Sequence, residues 1–338
     1  PRSTLFPYTT LFRSNFEALM RKVGADFTDF IRTTDPHHEK AVQYIWQKLL
    51  PYIYKGTYQG WYCQGCEAFV SDKEAAANNG ICPDHKTEYQ QLSEENYFFK
   101  ASAFTDKLRE EIDRHKFDIV PEFRKREFLE LIKDGLRDVS ISRPKKNLSW
   151  GIQVPNDPTQ VMYVWIDALA NYITVLGYPD NEDWKNYWPA DVQVIGKDIL
   201  RFHAGIWPAM LLGLGLPLPK KLLVHGFINV DGAKISKSIG NTVDPNEIID
   251  QYGVDAFRYF FARHIPTQDD GDLTWERFEH AYNDELANEL GNLVSRVGSM
   301  AMKYVSGVVV NISQPEHDTK IYHEYMKRLE FNKAFDEI

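Results

Sequence analysis

The chain has 338 residues, 43% of them hydrophobic and 26% charged, with a net charge of -9. This is longer than one small core can organise, so two to four structural units are expected, and the composition is that of an ordinary globular protein. No apolar run approaches the roughly 20 residues a membrane-spanning helix needs, and the acidic balance excludes a global attraction for nucleic acid. It leaves local basic patches only: Arg124-Lys125-Arg126, Arg143 with Lys145-Lys146, Lys220-Lys221, and Lys234 with Lys237.

In chain order, residues 1–14 match neither a signal peptide nor a transit sequence and read as a non-native leader, translated adapter or vector DNA. Residues 15–53 read as helices, with Ala41, Ile45 and Leu49 at helical spacing after the turn residues Thr34-Asp35-Pro36. From 54 to 100 the pattern predicts short aromatic-rich strands around a cysteine cluster. Residues 101–139 return to helix, with Phe128, Leu131, Ile132 and Leu136 expected on one face. Three apolar runs then read as buried strands, 161–166, 192–195 and 222–228, and the first two lead into helical patterns at 168–175 and 198–212. Such alternation predicts an α/β fold with a parallel sheet, whose ligands sit beyond the carboxyl ends of the strands. Those ends carry Trp165-Ile166-Asp167, Gly196-Lys197-Asp198 and His225-Gly226-Phe227. After Asn241 the pattern is helical: Asp244-Pro245 is a helix start. Leu286, Leu290, Leu293, Val297 and Tyr304 form the apolar stripe of a bundle helix.

All three cysteines fall in one place: Cys63 and Cys66 are separated by two residues, and after fifteen more residues come Cys82 and, at the same spacing, His85. Two such pairs suit one tetrahedral Zn²⁺ bound by three thiolates and an imidazole, a closed and therefore structural site. The alternative is a pair of metal-free hairpins.

The sharpest motif runs from Asp231 to Asn241. Two lysines three apart, two small hydroxyl residues and flanking glycines make a cationic loop suited to a departing pyrophosphate. Lys234-Ile235-Ser236-Lys237-Ser238 resembles the second signature of class I aminoacyl-tRNA synthetases. Residues 163–172, Tyr163 through Trp165 and Ala168 to Tyr172, are similar to the pocket segment of the methionyl-tRNA synthetases. Residues 195–203, 138–143 and 150–155 resemble that family's next strand end and its linker back into the catalytic domain. The Cys3His knuckle resembles its single-zinc insertion. The likeness extends from about residue 15 to the end, in consistent order.

The resemblance implies a partial Rossmann-like parallel sheet with a zinc-knuckle insertion and the start of a C-terminal helical bundle. The implied divisions are 15–53, the remainder of the first half of the catalytic domain; 54–145, the insertion; 146–228, its second half; 229–283, the signature-loop and stem-contact region; and 284–338, the start of the anticodon-binding domain. It assigns Trp165, Ala168, Leu169, Tyr172, Ile199, Phe202 and His203 to the methionine pocket. It assigns Gly196, Asp198, His225, Gly226, Ile228, Lys234 and Lys237 to ATP, and Arg143 to a carboxylate or phosphate clamp. The spacing agrees: Ala168 and Tyr172 are four apart, and Ile199, Phe202 and His203 are spaced by three and four. The implied reaction joins L-methionine to tRNA(Met) through methionyl-adenylate, with ATP as substrate accompanied by Mg²⁺ and Zn²⁺ as a structural ion, in the cytoplasm.

The sequence also departs from the family. No His-x-Gly-His signature is present, since His37-His38, His203 and His225 do not offer that spacing, and Gln153 stands where relatives can carry an acid. The first strand, the acid that grips the methionine amine, and the anticodon readers are missing too. The polypeptide as written is therefore expected to be inactive. Two other readings stay open: a zinc-stabilised tRNA-binding paralogue without catalysis, and a class I relative for leucine, valine or cysteine.

Overall fold

The computed structural model describes residues 15–63, 68–70, 72–83, 85–235, 243–308 and 319–338, the side chains of 58, 68, 69, 92 and 234 aside. The leader, Cys66, and Ser236, Lys237 and Ser238 of the signature loop lie outside the described residues.

Helix α1 (residues 15–22) precedes α2 (Pro36–Leu49), which starts where the turn residues indicate, with Asp35 extended at the N-cap and Pro36 at the first helical position. Its buried face is Ala41, Val42, Ile45, Trp46 and Leu49, as the spacing predicts. The strands expected to be short are instead a long ribbon: β1 (Ile53–Cys63) carries β2 (Ala68–Val70) and, beyond helix α3 (Asp72–Ala77), pairs antiparallel with β3 (Gln90–Phe99) from Ile53↔Phe99 to Tyr62↔Gln90. Cross-strand aromatic contacts such as Tyr54 stacked on Phe98 at 5.5 Å help hold it.

Residues 101–139, expected to be helical, are not helical throughout. Between α4 (Thr105–Asp113) and α5 (Glu122–Leu131) lies β4 (Asp118–Val120), because Pro121 disfavours helical backbone at the residue before it. Phe128 and Ile132 are buried there, but Leu131 is 62% exposed, outside the face assigned to it.

Next come β5 (Val139–Ser140), β6 (Ser142–Pro144), β7 (Gln153–Val154) and β8 (Asp157–Met162). The apolar run at 161–166 is therefore half strand and half helix. β8 stops at Met162, pairs antiparallel with β6 and β7, and Tyr163 caps α6 (Val164–Thr174). A continuous apolar run does not mark where a strand passes into a buried helix. β9 (Gln193–Gly196) and β10 (Lys221–His225) lie close to the predicted positions, flanking a helical stretch that ends in α7 (Trp207–Gly213). The third run breaks at Gly226-Phe227 and resumes as β11 (Ile228–Val230), which forms a hairpin with β12 (Ala233–Lys234). The remaining elements are α8 (Pro245–Tyr252), α9 (Val254–His264), β13 (Gly271–Leu273), α10 (Trp275–His280), a π-helical segment (Ala281–Gly291), α11 (Asn292–Val305), α12 (Lys320–Arg328) and α13 (Phe331–Asp336).

The sheets run β2-β1-β3-β5, β4-β10-β9, β12-β11-β13 and β6-β8-β7. β11 and β13 are parallel and the fold is α/β as expected, but the run at 161–166, expected in the parallel sheet with 192–195 and 222–228, instead pairs antiparallel in the β6-β8-β7 sheet. The chain divides into two compact units: residues 1–30, 194–197 and 223–338, and residues 31–193 and 198–222. The first has a core of Val230, Ile248, Ala256, Phe260, Ile265, Leu273, Phe278 and Ala281. The predicted stripe lies in its helical run, with Leu286 packed against this core while Leu290, Leu293, Val297 and Tyr304 are exposed.

Candidate functional site

The larger unit contains an aromatic cluster built by α6 and the helical stretch before α7. Trp165 stacks on Phe202 with ring centroids 3.8 Å apart and lies nearly perpendicular to His203 at 6.2 Å. Tyr172 meets His203 edge-on at 5.7 Å. Trp165, Ala168, Leu169 and Tyr172 fall on one face of α6, and Leu169 is buried. Trp165 is thus in the first turn of a helix, not at a strand end as the sequence predicts. The facing residues depart from simple helix as well: Lys197–Ile199 is a 3₁₀ turn and Phe202–Ile206 a π-helical turn, in which the Trp207 N–H donates to the Phe202 carbonyl. Such π turns recur at functional sites.

His203 is held in one tautomer. Its Nδ1 lies 3.1 Å from the Ile199 carbonyl, which only accepts, so Nδ1 carries the proton. Nε2 then accepts from the Tyr172 hydroxyl at 3.0 Å. Burial lowers the His203 pKa from its ordinary value, against the Ile199 hydrogen bond and the Asp198 charge, which raise it; burial raises that of Tyr172. Both groups are therefore neutral near pH 7.

Trp207, which the sequence reading missed, lines up behind this cluster, 6.0 Å from Tyr172 and 5.9 Å from Trp188. Its indole N–H is buried with no hydrogen-bond partner among the described residues. Its position four residues after His203 was the available signal.

Arg143, in β6, is buried with Nη1 donating to Ser140 Oγ and to the Ser142 carbonyl, both at 2.8 Å. Its guanidinium lies 4.1 Å from the centroid of Tyr163, the N-cap of α6. On α2, His38 reaches two side chains of α6, Asp167 and Thr174, each at 2.7 Å. Gln153 sits in β7, its carbonyl accepting from Gln43 at 3.4 Å.

In the smaller unit, Gly196 ends β9, and His225, Gly226 and Ile228 line the break between β10 and β11. His225 Nδ1 donates to the Gly226 carbonyl at 2.7 Å, leaving Nε2 as the acceptor of an exposed ring when the ring is neutral. A Cβ on Gly226 would sit 2.2 Å from the Asp269 backbone, so only glycine fits that crossing. Asp270 accepts from the Phe227 N–H at 2.8 Å and from Lys197 Nζ at 2.7 Å, and Lys197 lies 4.5 Å from the Phe227 ring centroid. Sequence reasoning missed Asp270, which no local pattern marks. Asp231 and Gly232, at φ 51° and 73°, make the two-residue turn that delivers Lys234 on β12. Lys237 lies outside the described residues.

The knuckle brings Cys63, Cys82 and His85 together: their ligand atoms all lie within 4.8 Å of one another. His85 Nδ1 is 3.7 Å from Cys82 Sγ and 4.0 Å from Cys63 Sγ. Ideal tetrahedral zinc would set sulfur and nitrogen about 3.6 Å apart from its usual bond lengths, so the donor set fits a metal ion. Both described cysteines are buried. No helix among the described residues is long and apolar enough to cross a membrane.

The sequence matches the family described as "tRNA synthetases class I (M)" over residues 7–94 and 86–298. The methionine--tRNA ligase of Caldanaerobacter subterraneus subsp. tengcongensis is 47% identical over 335 residues, covering 95% of this chain and 52% of that protein. That of Thermotoga maritima is 41% identical over 339 residues, 96% and 54% respectively. Mycobacterium tuberculosis methionyl-tRNA synthetase in complex with methionyl-adenylate superposes with a TM-score of 0.86 at 37% identity, covering 95% of this chain and 66% of that one. The chain spans about half the length of the curated relatives it matches.

Proposed function

Since the chain belongs to the class I (M) tRNA synthetase family, we propose that its protein ligates L-methionine to tRNA(Met) with ATP, through methionyl-adenylate, in the cytoplasm. The observation that carries this reading is the cluster of Trp165, Phe202, His203 and Tyr172. A thioether is polarizable and favours aromatic edges, and the neutral Tyr172–His203 pair adds polarity without a charge to desolvate. Ala168, Leu169 and Ile199 complete the apolar lining.

In this reading the exposed His225 edge, Gly226 and Ile228 take the adenine, and Gly196 and Asp198 the ribose. Arg143 holds the methionine carboxylate or the phosphates. That carboxylate attacks the α-phosphate of ATP in line, the bond to the bridging oxygen breaks, and pyrophosphate leaves. Mg²⁺ accompanies ATP, and Lys234 and Lys237 neutralise the departing charge. The terminal ribose hydroxyl of tRNA then attacks the adenylate carbonyl and AMP leaves. Positioning and electrostatics suffice, so no side-chain nucleophile is assigned.

A zinc ion on Cys63, Cys66, Cys82 and His85 would cross-link the ends of the knuckle, outside the chemistry. The regions divide as 15–53 and 146–228 for the catalytic halves, 54–145 for the insertion, 229–283 for the signature-loop region and 284–338 for the start of the anticodon-binding domain.

The test is ATP–pyrophosphate exchange by the complete gene product with methionine, leucine, valine and cysteine in turn. Exchange dependent on methionine alone supports the reading. Dependence on another of the four, or tRNA binding with no exchange, overturns it.

A further inference from the structure

We propose that His38 is a positioning residue for the methionine pocket, fixing the axial position and rotation of α6 from behind; the proposal rests on the pocket reading above. His38 is fully buried on α2, and both ring nitrogens are used. The Asp167 carboxylate can only accept, so Nε2 carries a proton, and in the neutral ring Nδ1 accepts from the Thr174 hydroxyl.

Asp167 and Thr174 are seven residues apart, about two turns, and so stand one above the other on α6. At roughly 100° per residue they lie about 160° round the helix from Trp165, Ala168, Leu169 and Tyr172. One rigid imidazole therefore spans two turns of the face opposite the pocket. Buried apolar residues of the two helices, Val42 and Ile45 on α2 and Ile166, Ala170 and Ile173 on α6, can hold α2 and α6 together without choosing a register. The two hydrogen bonds choose it, because a slip of one residue turns both partners away by about 100°. Buried polar groups that fix register in an otherwise apolar contact are the best-attested use of such groups.

The experiment measures exchange kinetics of the complete protein, reading KM for methionine and for ATP separately, with thermal midpoints, for His38→Leu, Thr174→Val, Asp167→Leu and Asp167→Asn. His38→Leu and Asp167→Leu should raise the methionine KM tenfold or more and leave the ATP KM within twofold. Asp167→Asn, which keeps an acceptor for Nε2–H, should stay near wild type, and Thr174→Val should rise about threefold. If His38→Leu does not fold, the Asp167 pair and Thr174→Val decide. Unchanged methionine KM values in the folded variants overturn the proposal, as do parallel rises in both KM values with falling thermal midpoints. Wild-type protein without methionine-dependent exchange removes the pocket reading and this proposal with it; wild-type activity with unshifted variants removes the proposal alone.

Discussion

Replacing Tyr172 by phenylalanine removes one oxygen and changes little else in the volume of the cluster. The hydroxyl it deletes donates to His203 Nε2 at 3.0 Å, and His203 is only 4% exposed. With Nδ1 already committed to the Ile199 carbonyl, Nε2 becomes a buried acceptor with nothing to accept from, at a cost of about 1–3 kcal/mol. That cost falls on the arrangement in which the ring stands nearly perpendicular to Trp165. If methionine binding needs that arrangement, the affinity for methionine falls by a factor of about 5–150, since each 1.4 kcal/mol is tenfold. Calorimetric titration of methionine into Tyr172→Phe and wild-type protein reads this directly, with ATP titrated as the control. Methionine affinity within twofold of wild type would refute the claim that the Tyr172–His203 pair shapes the pocket. Equal weakening of methionine and ATP would refute it as well.

Acid should expose the same histidine. Burial holds its folded-state pKa below the ordinary value of about 6.5. The unfolded chain therefore takes up its proton first as the pH drops. The stability tied to neutral His203 is complete above about pH 6.5 and is lost as the pH falls toward the folded-state value, and His203→Asn should flatten that part of a pH-dependent melting curve. Metal analysis of purified protein should find one zinc per chain, and Cys82→Ser or a chelator should remove it and lower the melting temperature; full metal retention in Cys82→Ser would contradict the ligand set. Asp270→Ala releases both Lys197 and the Phe227 N–H, so it should raise the ATP KM about tenfold or more while methionine affinity holds within twofold. An unaltered ATP KM would exclude that carboxylate from shaping the nucleotide side.

What could be read from the sequence was what is local. Asp35-Pro36 and Asp244-Pro245 mark helix starts through the cap and the fixed φ of proline, and both helices begin there. Of the donors that the knuckle spacing identified, Cys63, Cys82 and His85 fold to within ligand distance of one another. The run at 161–166 misled because apolar residues without periodicity suit a strand and a buried helix equally. Leu131 was misplaced because α5 ends at that residue, so the helical period no longer sets which face is buried. Several hydrogen-bond partners at the site are long-range. His38 meets residues 129 and 136 positions away, and Lys197 meets Asp270 across 73, separations that no periodicity encodes. The π-helical turn at Phe202–Ile206, which sets how His203 faces Tyr172, has no residue signature either.

The most direct test of the central claim is a crystal structure of the protein with methionine bound. The thioether is expected among Trp165, Phe202, Tyr172 and His203, with His203 still bonded to the Tyr172 hydroxyl or turned onto the sulfur. Methionine bound away from these four side chains, or no methionine at saturating concentration, would contradict it.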